Sequence, residues 1–265
     1  MLAQLRSTTA TPAVISIYRL RAVTNFSRVS RIDPARCDEP ELRSRILVAM
    51  NASESDARTE LRIDRWSKQE SGDAYADNRF SNSRSAGRDP RMARALMRRF
   101  PLDQPAARIL DVPSGTGRLH EVASGLAERV VGIDNSTAML ARGYGARICA
   151  SAWRLPFRDN SFEVVLCCRL LHHLPDDASR SSLLTELARV AKHRILLSFW
   201  DATSLHALRR RLGLRRSRKP DSRVPIERTQ LEQLARSAGL ELLGYRASAR
   251  FLSPQTFCAL RPFES

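Results

Sequence analysis

The sequence lacks long hydrophobic runs, is poor in aromatic residues and has too few acids to balance its bases. No run approaches the ~18 apolar residues that a membrane-crossing helix needs. Phe, Trp and Tyr make up only 6% of the 265 residues, so few aromatic surfaces are available for stacking. The five cysteines are odd in number and lack the spacing of metal ligands, which favours a reducing compartment and no metal site. We therefore expect one well-packed domain with an extension, located in the cytoplasm.

Acidic residues are absent from positions 1–32, where five arginines occur. A segment rich in Arg, Ser and Thr without acids is typical of an organelle transit peptide, which would place the protein in an organelle matrix. It is equally compatible with a solvated tail, or with an upstream extension whose true start is Met50. Residues 51–74 mix polar, acidic and basic side chains, so we predict that residues 1–74 form a basic, poorly ordered extension.

Acids are also scarce in segment 203–224, a predicted basic insertion. Its part 209–223 holds seven arginines and Lys219 against Asp221 alone. Such a segment attracts an anionic small molecule, an anionic membrane surface or nucleic acid. It has no aromatic residue on which bases could stack, which argues against single-stranded nucleic acid. A solvated basic helix and loop explains the composition equally well.

What the sequence does contain is an apolar run that ends in Asp111 and passes directly into a glycine turn. This order is typical of a strand that enters a nucleoside-binding loop at the carboxyl edge of an α/β sheet. The dinucleotide pattern G-x-G-x-x-G fails, because His120 stands where the third glycine belongs. Asp111 would also repel a pyrophosphate, whereas it would attract a cationic sulfonium and ammonium. The alternative is an ordinary turn that binds nothing.

A second apolar run ends at Asp134, which lies 17 positions beyond Gly117 (134 minus 117). This is near the ~20-residue offset of a ribose-binding acid in a βαβ unit. Ser136 is a predicted N-cap for the helix that follows. That helix carries Met139, which would lie either against an adenine ring or in the core.

A third block begins with turn residues at 155–161 and continues in the near-continuous apolar run Phe162–Cys168. Such a run predicts a central parallel strand buried on both faces. The loop after it carries His172 and His173 at the carboxyl edge, where open α/β sheets bind ligands.

These three blocks, in this order, resemble the class I S-adenosylmethionine-dependent methyltransferases. They are most similar to the type 11 group, which includes the ubiquinone and menaquinone C-methyltransferases. The resemblance covers residues 108–200 and continues weakly to residue 260. It implies an α/β fold, a Rossmann-like doubly wound seven-stranded sheet with a C-terminal antiparallel strand pair. It also implies a cofactor-binding domain at 101–265 and a lid-like helical segment at 75–100.

The resemblance implies S-adenosyl-L-methionine as the cofactor and assigns residues to each of its parts. Asp111, Gly115 and Gly117 would hold the methionine end, Asp134 the ribose and Met139 the adenine. The chain departs from the family at Ser151 and Ala152, where an Asp often meets the adenine amino group. We therefore expect the adenine contact to rest on the Ser151 hydroxyl and the Ala152 N–H.

Ahead of the first block, Asp89 is a predicted N-cap, with Pro90 as the first helical residue. Tyr75 and Arg79 are candidate lid contacts, with a purely structural role as the alternative. His172 and His173 could act as a base toward a phenol or enolisable carbon, or could pack the loop.

The sequence thus favours methyl transfer to a small-molecule acceptor, lipid-like or anionic. The Asn-Pro-Pro-Tyr string of amino-methyltransferases that act on DNA or protein is missing after the fourth strand. The alternative is a methyltransferase-like protein with weak or no catalysis that acts as an assembly or RNA-associated factor. A nucleotide-dependent oxidoreductase is disfavoured by His120 and Asp111.

Overall fold

The structure, a computed structural model, describes residues 15–16 by their backbone, and residues 87–205, 207, 209, 212, 223–247 and 253–264. Tyr75, Arg79, nearly all of the 1–74 extension and most of the basic segment 209–223 lie outside the described residues. The expectations for those parts therefore stay predictions.

Eight strands form one sheet. They are β1 (Ile15–Ser16), β2 (Ala106–Asp111), β3 (Ala127–Asp134), β4 (Ala146–Cys149), β5 (Phe162–Cys167), β6 (Ala191–Trp200), β7 (Leu240–Ala247) and β8 (Gln255–Pro262). Their order across the sheet is β1-β4-β3-β2-β5-β6-β8-β7. Strands β1 to β6 pair in parallel, whereas β8 runs antiparallel to both β6 and β7. The predicted doubly wound seven-stranded sheet with a terminal antiparallel pair is confirmed, and β1 adds a two-residue edge strand.

Five α-helices and one 3₁₀ helix connect the strands in the described ranges. They are α1 (Arg88–Arg99), α2 (His120–Ser124), α3 (Thr137–Leu140), the 3₁₀ helix Leu171–His173, α4 (Asp177–Val190) and α5 (Arg228–Ser237). Ser136 caps α3 as predicted, since its hydroxyl accepts from the Met139 N–H at 3.2 Å. The predicted cap of α1 is wrong: the N-cap is Gly87, and Asp89 lies inside the helix. The Asp89 carboxylate is instead bound by arginines from other elements, which compensate a buried charge better than helix N–H groups do.

Hydrophobic layers cover both faces of the sheet. Helices α4 and α5 pack on one face, where Leu187 and Val165 are fully buried. Helices α1 and α2 pack on the other, where Leu96 and Val164 are fully buried. All six residues of β5 are buried, as predicted for a central parallel strand. None of the described helices is long and apolar enough to cross a membrane.

From the centre of the sheet, the chain passes from β2 to β3 and β4 toward one edge. It later passes from β5 to β6 toward the other edge. The strand order therefore reverses between β2 and β5. In open α/β sheets, ligands bind outside the carboxyl ends of the strands at such a reversal. The fold thus places the end of β2, Asp111, at the expected binding crevice.

Leu187→Ala is expected to destabilise the fold by about 2–5 kcal/mol, because it removes methyl groups from a fully buried site in the core. Leu212→Ala is the matched control, since Leu212 is 60% exposed and its change should stay within about 0.5 kcal/mol. Urea denaturation followed by circular dichroism measures both. Equal midpoints for the two variants would contradict the assigned core.

Candidate active site

The glycine turn between β2 and α2 needs backbone conformations that side chains disfavour. Gly115 has a φ of 55° and Gly117 a φ of 81°. Both lie in the left-handed region, where glycine carries no Cβ penalty. A Cβ at Gly115 would lie 3.6 Å from Met139 Cε, which is an ordinary contact. Conformation, rather than space, therefore requires glycine at this position.

Asp134, at the tip of β3, closes onto the glycine turn. Its Oδ2 accepts from the Gly115 N–H at 2.8 Å, and its Oδ1 accepts from the Ser136 N–H at 2.9 Å. A carboxylate offers roughly four acceptor positions, so Asp134 can still accept from a ribose hydroxyl beside its backbone N–H bonds. The two backbone bonds fix the carboxylate in one orientation before any ligand arrives.

Asp111, at the tip of β2, is 3% exposed, and its Oδ1 has no hydrogen-bond partner among the described residues. Burial, and after it the nearby Asp134 carboxylate, raises the pKa of Asp111 from 3.8 to about 8. Burial also raises the pKa of Asp134 to about 6, against N–H bonds from Ser136, Gly115 and Asn135 that lower it. The ligand-free site therefore holds two acids that ionise reluctantly.

S-adenosyl-L-methionine fits this pair of acids. A buried acceptor without a partner costs free energy, and a cation or N–H donor placed against it removes that cost. The sulfonium and ammonium of S-adenosyl-L-methionine are such groups. A dinucleotide pyrophosphate would instead add negative charge beside two carboxylates.

A cavity with about 300 Å³ of empty space, part of it open to solvent, lies beside Asp134. It is lined by Val112, Ile133, Asp134, Asn135, Ala150, Ser151, Ala152, Trp153 and Leu170. The predicted adenine contacts, Ser151 and Ala152, therefore line the same cavity as Asp134, the predicted ribose-binding acid. The Ser151 Oγ accepts from the Trp153 N–H at 3.3 Å, so its hydroxyl hydrogen stays available to a ring nitrogen. Met139 is buried and packs beside Gly115 rather than along this cavity.

A smaller cavity, with about 240 Å³ of empty space, lies against the glycine turn. It is lined by Asp111, Ser114, Gly115, Gly117, His120, Val130, Gly132, Gly143, Tyr144 and Arg147. His120, whose place in the sequence disfavours a dinucleotide, therefore lines this cavity. Its ring stacks on Tyr144 at 6.1 Å, and burial followed by Arg147 lowers its pKa. Asp111 lines this cavity and Asp134 the other, and the two carboxylates are close enough for Asp134 to raise the pKa of Asp111.

The two candidate bases lie on the 3₁₀ helix after β5. His172 is 2% exposed, and its ring stacks on Trp200 at 5.6 Å. His173 is half-buried, with its ring 4.5 Å from that of His172. His172 therefore has the surroundings of a packed side chain, and His173 is the better placed of the two to reach an acceptor.

Sequence reasoning predicted a basic segment on the substrate side but did not predict the contact between Arg223 and Trp200. The Arg223 guanidinium carbon lies 3.9 Å from the centre of the Trp200 ring, at the carboxyl end of β6. The next residue, Val224, donates its N–H to the His172 carbonyl at 2.8 Å. The chain that follows the basic segment therefore rejoins the sheet at the carboxyl end of β6. Its composition indicates positive charge, but no local pattern indicates where the segment rejoins the fold.

Sequence reasoning also missed a buried ionic cluster of Asp89, Arg118 and Arg169. These residues are far apart in the chain, so only the fold brings them together. No group of three or more His, Cys, Asp or Glu residues that could hold a metal occurs among the described residues.

Comparison with known proteins agrees with the fold. The type 11 methyltransferase family, described as a methyltransferase domain, matches residues 110–198. A protein of Encephalitozoon cuniculi named as a methyltransferase is 33% identical over 132 residues, which are 46% of this chain and 60% of that protein. The ubiquinone biosynthesis O-methyltransferase of Hahella chejuensis is 35% identical over 98 residues, or 33% of this chain and 40% of that enzyme. The chain thus spans less than two thirds of either curated relative.

Solved structures share the fold at low identity. An S-adenosylmethionine-dependent methyltransferase from Clostridium acetobutylicum superimposes with a TM-score of 0.58 at 12% identity, covering 72% of this chain and 98% of that one. The 1,6-didemethyltoxoflavin-N1-methyltransferase of Burkholderia thailandensis, solved with its acceptor and S-adenosylhomocysteine, gives 0.55 at 18% identity, covering 82% and 94%. Residues 110–198 of this chain therefore match the methyltransferase domain that the sequence resembles, and solved methyltransferases share its fold.

Proposed function

We propose that this chain binds S-adenosyl-L-methionine at the carboxyl ends of β2, β3 and β4 and transfers its methyl group to a small-molecule acceptor. One observation carries the proposal. Asp111 is buried at the reversal of strand order with an unpartnered Oδ1 and a pKa raised to about 8. Ionisation of such a carboxyl is unfavourable in the ligand-free protein, and a bound cationic ligand would make it favourable.

Each part of the cofactor has candidate residues in the crevice. Asp111 and the glycine turn with Gly115 and Gly117 would hold the methionine end. Asp134 would accept the ribose hydroxyls, while Ser151 and the Ala152 N–H would meet the adenine. Met139 would support the turn from behind through its contact with Gly115.

The cofactor, when bound, supplies a methyl group that its sulfonium already activates. The chain's own task is then to align the acceptor, exclude water and hold a proton where the acceptor needs deprotonation. His173 is our first candidate for that proton and His172 the second, since His172 is stacked on Trp200.

We propose further that the acceptor is anionic or lipid-like. Arg223 brings a guanidinium to the carboxyl end of β6, and the rest of segment 209–223 adds a dense positive charge. Positive charge at a cleft raises the local concentration of anions and also attracts an anionic membrane surface. The neighbour from Burkholderia thailandensis likewise has a small-molecule acceptor. An assembly or RNA-associated factor is not favoured, because the glycine turn and both acids are intact.

We expect the reaction to take place in a reducing compartment, with the cytoplasm as the first candidate. The four described cysteines are buried, which fits thiols that are not exposed to oxidising conditions.

Isothermal titration with S-adenosylhomocysteine tests the cofactor site. We expect micromolar affinity for the unaltered chain, and a loss of about 100-fold or more in Asp111→Ala and in Asp134→Ala, equivalent to about 2.7 kcal/mol. Glu241→Ala is the control, because this half-exposed acid pairs with Arg261 on the terminal strands. Binding of NAD in place of S-adenosylhomocysteine, or unchanged affinity in the two aspartate variants, would contradict the assignment.

Asp111→Asn is expected to stabilise the ligand-free chain at pH 8 by on the order of 5 kcal/mol, since the pKa of Asp111 is raised from 3.8 to about 8 and one pKa unit corresponds to about 1.4 kcal/mol. The Asp111 carboxyl has a folded pKa of about 8, above its ordinary 3.8. Between these values only the unfolded chain is ionised at this position, so stability falls as pH rises from about 4 to 8. The difference between the variant and the parent should grow over this range and vanish near pH 4. Urea midpoints at several pH values measure it, and a destabilised variant at pH 8 would refute the raised pKa.

Acceptor charge is tested with a methyl-labelled donor and a cell extract passed over an anion-exchange resin. We expect acceptor activity to stay on the resin and elute with salt. Arg223→Ala should lower the transfer rate at limiting acceptor by about tenfold or more, about 1.4 kcal/mol, without changing the affinity for S-adenosylhomocysteine. Arg246→Ala, an exposed arginine on β7, is the control.

Separating the extract into aqueous and lipid fractions identifies the source of the anion. Activity in the lipid fraction, with sedimentation of the protein on anionic vesicles at low salt, would indicate a membrane lipid. Activity in the aqueous fraction would indicate a soluble metabolite. Acceptor activity in the resin flow-through would show that the acceptor is not anionic.

A further inference from the structure

One carboxylate at the start of α1 binds groups from three other parts of the fold. Asp89 is fully buried. Its Oδ2 accepts from Arg118 Nη1 at 3.0 Å and from Arg169 Nε at 2.6 Å. Its Oδ1 accepts from Arg169 Nη2 and from Gln255 Nε2, each at 3.3 Å. Helix α1 is thereby tied to the glycine turn, to the residue beyond β5 and to β8.

The two arginines lie on either side of the reversal in strand order. Arg118 directly follows Gly117 in the glycine turn, after β2. Arg169 follows Cys168 beyond β5, and its φ of 65° is a left-handed conformation that costs on the order of 1 kcal/mol for a residue with a side chain. Its N–H donates to Ser198 Oγ at 2.8 Å. Asp89 and Ser198 therefore hold Arg169 against its own backbone preference.

Neither helix capping nor stability accounts for this carboxylate. Gly87 is the N-cap of α1, so the helix does not use Asp89 to cap its N–H groups. A buried ionic cluster is often no more stabilising than well-packed apolar side chains of similar volume. What the cluster does provide is a fixed geometry, because the Arg169 fork allows only one orientation against the carboxylate.

We infer that Asp89 is a positioning residue for the amino-acid end of the cofactor. Through Arg118 and Arg169 it sets the separation between the glycine turn and the end of β5, the two segments that flank Asp111. It does not act on the nucleoside end, because the cavity beside Asp134 is lined by residues that make none of the Asp89 contacts. This inference rests on the proposed function.

The experiment compares two ligands that share a nucleoside. S-adenosylhomocysteine has the amino-acid end, whereas 5′-methylthioadenosine lacks it. Asp89→Asn should weaken S-adenosylhomocysteine about tenfold or more, about 1.4 kcal/mol, and leave 5′-methylthioadenosine within about twofold. A variant that merely damages the fold would weaken both ligands together.

Glu163→Gln is the matched control at the opposite edge of the same sheet. Glu163 is also a buried acid paired with an arginine, since it accepts from the Arg108 N–H at 2.7 Å and lies 3.5 Å from Arg108 Nη2. It stands at the amino end of β5, away from the crevice. We expect both ligands to bind this variant as they bind the parent.

Each other outcome has a defined meaning. Equal weakening of both ligands by Asp89→Asn, or no weakening of either, would overturn the positioning role.

If Asp89→Asn does not fold, Arg118→Gln takes its place, because Arg118 is 14% exposed and tolerates substitution better. This variant must show the same selectivity between the two ligands. If 5′-methylthioadenosine binds too weakly to titrate, the affinities of Asp89→Asn and Glu163→Gln for S-adenosylhomocysteine are compared at equal urea midpoints. Weaker binding in Asp89→Asn alone supports the positioning role, and equally weaker binding in both variants overturns it. A parent chain that binds neither ligand would overturn the proposed function and this inference together.

Discussion

The burial of the Asp111 carboxylate at the reversal of strand order is the constraint on which the site depends. An acid with an unpartnered oxygen lowers the stability of the ligand-free protein above its ordinary pKa. The same oxygen gives a cation a place where water does not compete. The nearby Asp134 strengthens both effects, because its negative charge disfavours ionisation of Asp111 and favours a bound cation.

The fold supplies this arrangement through parallel pairing. In register, Asp111 lies opposite Gly132, and Asp134 lies two residues further along β3. Gly132 has no side chain, and a Cβ there would meet Ser114 Oγ at 2.9 Å. The glycine turn can therefore fold back over β3 and reach Asp134 with the Gly115 N–H. The turn, the register and the second acid thus depend on each other.

Sequence patterns predicted the sheet and most of the crevice because each feature is local. The end of β2 at Asp111, the end of β3 at Asp134 and the buried strand β5 follow from short apolar runs with polar ends. Ser136 was predicted as a cap because capping needs only the next three residues. Asp89 was misassigned for the same reason, since its local context resembles a cap while its partners lie 29 and 80 positions away.

The contact between Arg223 and Trp200 was also beyond sequence reasoning. A basic segment indicates positive charge but not its place, and this place is set by backbone bonds from Val224 to His172 and from Ile226 to Trp200. These bonds lay the returning chain along the carboxyl end of β6. A contact that depends on where a long segment rejoins a sheet has no signature in residue spacing.

The two sides of the crevice therefore carry opposite charge. Acids stand at the tips of β2 and β3, while the Arg223 guanidinium lies at the carboxyl end of β6. A cationic sulfur nucleoside is attracted to the first side and repelled by the second, and the reverse holds for an anionic acceptor. Each ligand would then be directed to its own half of the crevice by charge before shape is tested. Asp89 belongs to this division as well, because its negative charge keeps Arg118 and Arg169 engaged at the boundary between the acidic and basic sides.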